Sequence, residues 1–180
     1  MQSLLSQLGH ASGEVGLEHE HGKELLPPED CGCDVTGMPQ QLIGLASLVK
    51  ELETQAHLIH VNLEAPYFFG AHAFLKDQYE EHQRQFDRVA ELVRTLDTFM
   101  PMCRLGLADA LPMFHDIESY EARQMLLTYM ANLEDCGALV KQIWAMAHET
   151  KAIDIGHEME AISHNCYKAA WQIKATLRKS

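Results

Sequence analysis

Apolar side chains recur at steps of three and four along most of the chain, the pattern of helices that bury one face. Breaks in this pattern predict four long helices, at about 39–63, 67–98, 119–149 and 151–177. We expect the aromatic residues on these apolar stripes, Phe69 and Trp144 among them, to pack in the core rather than around a cofactor.

The connection between the second and third helices is long and contains several helix breakers. Pro101, Gly106 and Pro112 lie within it, and a short helix can form around 107–117. No stretch shows the alternation of a strand. The chain is therefore predicted to be all-α, a four-helix bundle with a short helix in the long middle crossover, as in ferritin-like bundles.

Residues 1–38 differ in composition from the rest and carry no persistent apolar pattern. We interpret them as a flexible tail that precedes a bundle domain at 39–180. The potential metal-binding groups of the tail are His10, His19, His21 and the run Cys31-Gly32-Cys33-Asp34. This C-x-C run lacks the paired C-x₂-C spacing of structural zinc sites, so a solvated tail is the simpler interpretation.

Charge and composition narrow the class of protein. The formal net charge of −12 disfavours nucleic acid, whose binding depends on Lys and Arg, and is compatible with handling cations. Eleven histidines agree with metal handling. No apolar run approaches the length of a membrane span, the amino terminus lacks secretory-signal features, and the odd number of cysteines favours a reducing compartment. We expect a cytoplasmic protein.

The candidate chemistry lies between His57 and Leu96. His60 and His72 stand on either side of the break at Glu64-Ala65-Pro66, so a helical hairpin can bring them together. Asp87 and Glu91 are one helical turn apart, but about 22 Å beyond His72 along the helix axis. No single ion spans that distance. Two copies of this helix, paired antiparallel across a two-fold axis, would join the halves into a shared metal site.

Histidines such as His60 and His72, taken alone, are more often hydrogen-bonded residues of a core or interface than metal ligands. The alternative di-iron site inside one bundle needs Glu-x-x-His motifs on two helices. The nearest sequence is Asp154-Ile155-Gly156-His157, a single copy with a helix-weakening glycine. This absence also favours a site between subunits.

The stretch resembles the Dps miniferritins. Their signature is a His near the end of the first helix, a second His twelve positions later, an acidic residue four beyond it, then Asp and Glu fifteen and nineteen beyond it. His60, His72, Asp87 and Glu91 match four of the five positions, and the resemblance spans about 40–178. It implies a twelve-subunit shell with ferroxidase sites at two-fold interfaces. It also implies that Fe(II) is oxidised by hydrogen peroxide or oxygen and stored as ferric mineral, which protects against oxidative stress.

The fifth position departs from the family, because Lys76 stands where an acidic ligand is expected. A charged ammonium cannot ligate iron and repels a nearby cation. Further candidate ligands are His57, His164 and Asp77, although Asp77 lies about 100° around the helix from Lys76. We favour a histidine-enriched site over a weakened one. Imidazole suits Fe(II) and Zn(II), so Zn(II) can compete there.

For two other groups of charged residues, a purely structural interpretation and a functional one are both open. Glu80, Glu81 and His82 are expected on a solvated face, where inside a shell they could seed mineral. Asp154 and Glu158 suit the positive end of a helix dipole, and the resemblance places them near a three-fold pore where they would attract entering cations.

Two competing functions remain open at this stage. Some Dps relatives compact DNA through Lys-rich tails, but here the tail has Lys23 against seven acidic residues, so DNA binding is not expected. The other function is that of a metal-binding or structural shell whose ferroxidase activity is weak or absent because of Lys76. The sequence is equally compatible with this function and with an active ferroxidase.

Overall fold

The computed structural model describes residues 37–178, which form helices and connecting turns with no strand among them. The helices, in chain order, are α1 (Met38–Asn62), α2 (Phe68–Thr95), α3 (Arg104–Asp109), α4 (Ala122–Thr150) and α5 (Ile153–Thr176). The predicted tail, with His10, His19, His21 and the Cys31–Asp34 run, lies outside the described residues.

Two helical hairpins, α1–α2 and α4–α5, pack together through α1 against α4 and α2 against α5. The predicted four-helix bundle is confirmed, and the bounds of its helices agree with the structure to within a few residues. Leu52, Leu75, Leu133 and Ile162, one from each long helix, are fully buried in a single core. None of the helices in the described range is long and apolar enough to cross a membrane.

Two aromatic residues that we predicted in the core are exposed instead. Phe69 is 88% exposed near the start of α2, and Trp144 is 39% exposed on α4, where its Nε1–H donates to Glu160 at 3.0 Å. Periodicity places both residues on the apolar stripes of their helices. The bundle, however, buries only the centre of each stripe, which on α4 is formed by neighbours such as Val140 and Ile143.

A short turn joins α1 to α2 and brings their adjacent ends together. Leu63 leaves the helical conformation after Asn62, and the backbone N–H of Phe68 donates to the Ala65 carbonyl at 2.9 Å. Pro66 therefore lies in the turn, and α2 begins at Phe68, one residue later than predicted. The turn places the last turn of α1 against the first turns of α2.

The long crossover contains a helix at a different place from the predicted 107–117. α3 ends at Asp109, and residues 111–121 are not helical. Pro112 cannot donate a helical hydrogen bond, and hydrogen bonds to two buried side chains, those of Gln55 and Asn132, hold the chain beyond it out of a helix. The N–H of His115 donates to Asn132 Oδ1 at 2.8 Å, and its carbonyl accepts from Gln55 Nε2 at 2.9 Å and Asn132 Nδ2 at 2.8 Å.

The second hairpin has an even shorter link, formed by Lys151 and Ala152. Lys151 ends α4 with φ 60°, a left-handed conformation uncommon for a residue with a side chain. This conformation lets the Ala152 N–H donate to the Ala147 carbonyl at 2.8 Å. The chain thereby reverses direction within two residues.

Candidate metal centre

His60 and His72 meet across the α1–α2 turn. Their rings are stacked, with centroids 3.7 Å apart and an interplanar angle of 18°. The Nδ1 of His60 lies 2.8 Å from the carbonyl oxygen of His72, and the Nδ1 of His72 lies 2.9 Å from the carbonyl oxygen of His60. A carbonyl only accepts, so each Nδ1 carries the proton and donates it. In the neutral rings both Nε2 atoms then keep a lone pair, the form in which histidine ligates metals.

Three further rings surround this pair. His57 stacks on Tyr79 at a centroid distance of 4.3 Å, and Tyr79 meets His60 edge-on at 5.5 Å. Phe68 stacks on the other histidine, His72, at 4.8 Å. His57 is 6.1 Å from His60 between ring centroids, so this predicted extra ligand does lie beside the pair. Sequence reasoning missed Tyr79, although its spacing of seven from His72 places it on the same helix face.

Lys76 occupies the surface one turn beyond His72. Its Nζ lies 3.0 Å from Glu80 Oε1, and its side chain is 55% exposed. The hydrogen bond to Glu80 and the charge of that carboxylate raise the pKa of Lys76. The side chain therefore stays an ammonium and cannot ligate a metal. Asp77, the predicted substitute, is an exposed neighbour on α2.

Asp87 and Glu91 lie farther along the exposed surface of α2. Neither forms an ion pair within residues 37–178. Among the described residues, no three His, Cys, Asp or Glu side chains converge closely enough to hold a metal ion. One subunit thus brings His60 and His72 together and leaves both carboxylates apart from them. His164 is exposed on α5, where it lines a groove with residues of α4.

The two predicted cation-attracting residues of α5 have different environments. Asp154 is exposed in the first turn of the helix. Glu158 Oε1 accepts from Arg88 Nε at 2.7 Å, and its side chain is only 16% exposed. The Arg88 guanidinium also reaches Glu81 at 3.1 Å. Most of the charge on Glu158 is therefore neutralised within the subunit.

The prediction that His82 lies on a solvated face is wrong, because this side chain is 2% exposed. Its Nδ1 lies 2.9 Å from Gln85 Oε1 and its Nε2 lies 2.8 Å from the Tyr129 hydroxyl. Burial is the main reason that the pKa of His82 is lowered, and it outweighs the Gln85 hydrogen bond and the nearby carboxylates. His82 belongs to a polar network inside the bundle, not to a surface that could seed mineral.

The comparisons with known proteins agree with this architecture. A family model described as a ferritin-like domain matches residues 47–180. Dps from Thermosynechococcus elongatus has a TM-score of 0.76 and 18% identity, over 81% of this chain and 92% of that one. Antigen TpF1 from Treponema pallidum has a TM-score of 0.76 and 19% identity, over 86% and 99%.

A third similar structure is the Dps protein from Vibrio cholerae O1, with a TM-score of 0.73 and 20% identity over 79% of this chain and 90% of that one. No curated protein matches the chain significantly. The solved structures confirm the predicted fold, and the family model covers most of the sequence. The chain therefore belongs to the ferritin-like domain family and is built on the fold of the Dps miniferritins.

Proposed function

We propose that this protein is a miniferritin that binds Fe(II) at sites shared between two subunits, oxidises it, and stores the ferric product in a hollow shell. The observation that carries the proposal is the His60–His72 pair, which keeps two Nε2 lone pairs available by donating both Nδ1 protons to backbone carbonyls. Metal-ligating histidines are commonly oriented in this way by a backbone acceptor. The register of Asp87 and Glu91 on the same helix supports a site completed by a second copy.

The donor set fits iron in part. Imidazole nitrogen and carboxylate oxygen are both suitable ligands for Fe(II), and carboxylates favour the harder Fe(III) product. His57 supports a histidine-enriched version of the site, because its ring lies beside His60. Lys76 supplies no ligand, so its position must be tolerated or compensated. Zn(II) suits the same imidazoles and would compete with iron.

Oxidation within such a site balances with either oxidant. Two Fe(II) ions would each give one electron to hydrogen peroxide, whose O–O bond breaks to give two hydroxides. With oxygen, a first pair of Fe(II) ions would reduce O₂ to hydrogen peroxide with uptake of two protons, and a second pair would reduce that peroxide to two hydroxides. Oxidising the ions in pairs avoids the one-electron step that releases hydroxyl radical. The ferric ions would then collect inside a shell of twelve subunits, an assembly that membership of the family and the Dps fold support.

The test is Fe(II) loading of metal-stripped protein without oxygen, followed by peroxide in one sample and air in another. Ferric absorbance gives the oxidation rate, and iron in the assembly peak of a sizing column gives the amount stored. Rapid oxidation with many irons retained per particle is expected. Oxidation no faster than in buffer, with rust outside the particle, would refute the proposed activity.

A second candidate is a cation-binding shell without oxidase activity. The Lys76–Glu80 ion pair favours it, because a positive charge lies on the helix face that carries His72. In that case Zn(II) would bind without any iron being oxidised. The same loading experiment separates the two candidates.

A further inference from the structure

Four residues on one face of α2 have a chemistry and a spacing that suit contact with a second copy of the helix. His72 and Lys76 lie in the first half, and Asp87 and Glu91 lie in the second. Lys76, Asp87 and Glu91 are exposed, and His72 is half-buried. At about 100° per residue, the four side chains leave the helix within an arc of roughly 100°. They can therefore face one and the same partner.

The spacing of these four residues is symmetric. The pair His72 and Glu91 and the pair Lys76 and Asp87 share one midpoint on α2, between Glu81 and His82. If a second α2 packs antiparallel with a two-fold axis at that midpoint, the two members of each pair lie opposite each other across the interface. His72 then faces Glu91 of the partner subunit, and Lys76 faces Asp87 of the partner subunit. Two-fold symmetry makes each contact occur twice.

We propose that the ammonium of Lys76 is a tethered cation of this interface. When no metal is bound, this ammonium forms ion pairs with Asp87 and Glu91 of the partner subunit and occupies the position that a metal ion would take. A metal ion must then displace the ammonium to reach the two carboxylates. This inference rests on the proposed function, because it uses the same pairing of α2 helices.

The surroundings of Lys76 make the exchange of partners feasible. Its present partner, Glu80, belongs to the same helix one turn away, and both side chains are well exposed, at 55% and 40%. Exposed ion pairs of this kind are weak. The flexible stem of a lysine also reaches several acceptors, and its ammonium has three protons to donate. Asp87 and Glu91, by contrast, have no cationic partner within residues 37–178, and two unpaired carboxylates repel each other.

A charge-swap cycle tests the inference. Lys76→Glu, Asp87→Lys and the double variant are compared with the parent, all stripped of metal, in a dilution series by analytical ultracentrifugation. Each single variant places like charges opposite each other and should raise the dissociation constant about tenfold or more. The double variant exchanges the two charges, so its dissociation constant should return to within about threefold of the parent's value. The control is Lys168→Glu, which makes the same change of charge at an exposed residue of α5 and should have little effect on the dissociation constant.

Recovery in the double variant, with loss in both single variants, supports the inference. It is overturned if the double variant is no better than the weaker single variant, or if all the proteins assemble alike. Iron oxidation by the parent is measured in parallel. Oxidation without charge coupling would refute the inference and leave the proposed function standing. Charge coupling without iron oxidation would support the inference and refute the proposed oxidase activity.

Discussion

The Nδ1 atoms of His60 and His72 lie 2.8 and 2.9 Å from each other's backbone carbonyls, while the two rings stack at 3.7 Å. Neither ring can rotate without losing a hydrogen bond and the stacking contact. The two Nε2 atoms are therefore held in fixed directions before any metal binds. Such preorganisation reduces the ordering that metal binding would otherwise require.

Replacing either histidine should weaken metal binding. We expect His60→Ala and His72→Ala each to raise the dissociation constant for Zn(II) by about 10–100-fold or more, because each removes one ligand and the ring on which the other histidine stacks. Calorimetric titration of metal-stripped protein measures this change. His148→Ala is the matched control, since His148 is exposed on α4 and its ring stacks on Trp144. Parental affinity in His72→Ala would place the metal elsewhere.

The buried His82 should make stability depend on pH. Its pKa is lowered in the folded protein, so below about pH 6.5 the unfolded chain binds a proton that the folded chain does not. The free energy of unfolding should be unaffected by this group above that pH. It should fall by up to about 1.4 kcal/mol per pH unit as the pH drops further, until the folded pKa is reached.

Urea unfolding at pH 7.5 and 5.5, at one protein concentration, measures this dependence. His82→Gln keeps a polar group next to Tyr129 and removes the titration, so it should lose less stability on acidification than the parent does. Equal losses in the two proteins would mean that His82 does not cause the acid sensitivity. Glu53 and Glu81 are the carboxylates that act on His82, and they stay in both proteins.

A pair of helical glycines should respond oppositely to alanine. A Cβ added at Gly137 on α4 would lie 2.8 Å from Tyr167 Cζ, whereas one added at Gly70 on α2 would meet nothing within 4 Å. We expect Gly137→Ala to lower the free energy of unfolding by about 1–2 kcal/mol through overpacking. Gly70→Ala should raise it by about 0.5–1 kcal/mol through helix propensity. Thermal unfolding measures both, and stabilisation by both changes would show that the ring of Tyr167 moves away freely.

Asp154 and Glu158 should contribute unequally to iron uptake. Asp154 is exposed and free to attract cations, whereas Glu158 is neutralised by Arg88 at 2.7 Å. Asp154→Asn should slow the initial rate of iron oxidation at low Fe(II) by roughly threefold or more, because it removes steering charge. Glu158→Gln should mainly lower stability. A larger loss of rate in Glu158→Gln than in Asp154→Asn would contradict this assignment.

The four long helices could be predicted because their periodicity is local and extends over many turns. The proximity of His60 and His72 followed as well, since a short turn between two helices leaves few arrangements. The predicted position of the short crossover helix was wrong because tertiary contacts decide it: His115 is held out of a helix by hydrogen bonds to Asn132 and Gln55, which are distant in sequence. No local pattern reports such anchors.

The environment of His82 could not be predicted for a related reason. Its neighbours Glu80 and Glu81 are charged, which suggested an exposed segment. The burial of His82 depends instead on Tyr129, which lies 47 positions away and supplies the hydroxyl that satisfies the imidazole. The proposed shared site is a further case, because a second molecule would have to complete it.

The two-residue link at Lys151 and Ala152 has a consequence for how the chain folds. Short links keep the loop-closure entropy of the α4–α5 and α1–α2 hairpins small, so each hairpin can form early and by itself. The crossover from Leu96 to Glu121 then has to close the larger loop when the hairpins dock. Docking should therefore limit the folding rate. If the α4–α5 hairpin forms before docking, Lys151→Gly should change the rate of folding more than the rate of unfolding. A larger change in the rate of unfolding would mean that the turn at Lys151 forms only after docking.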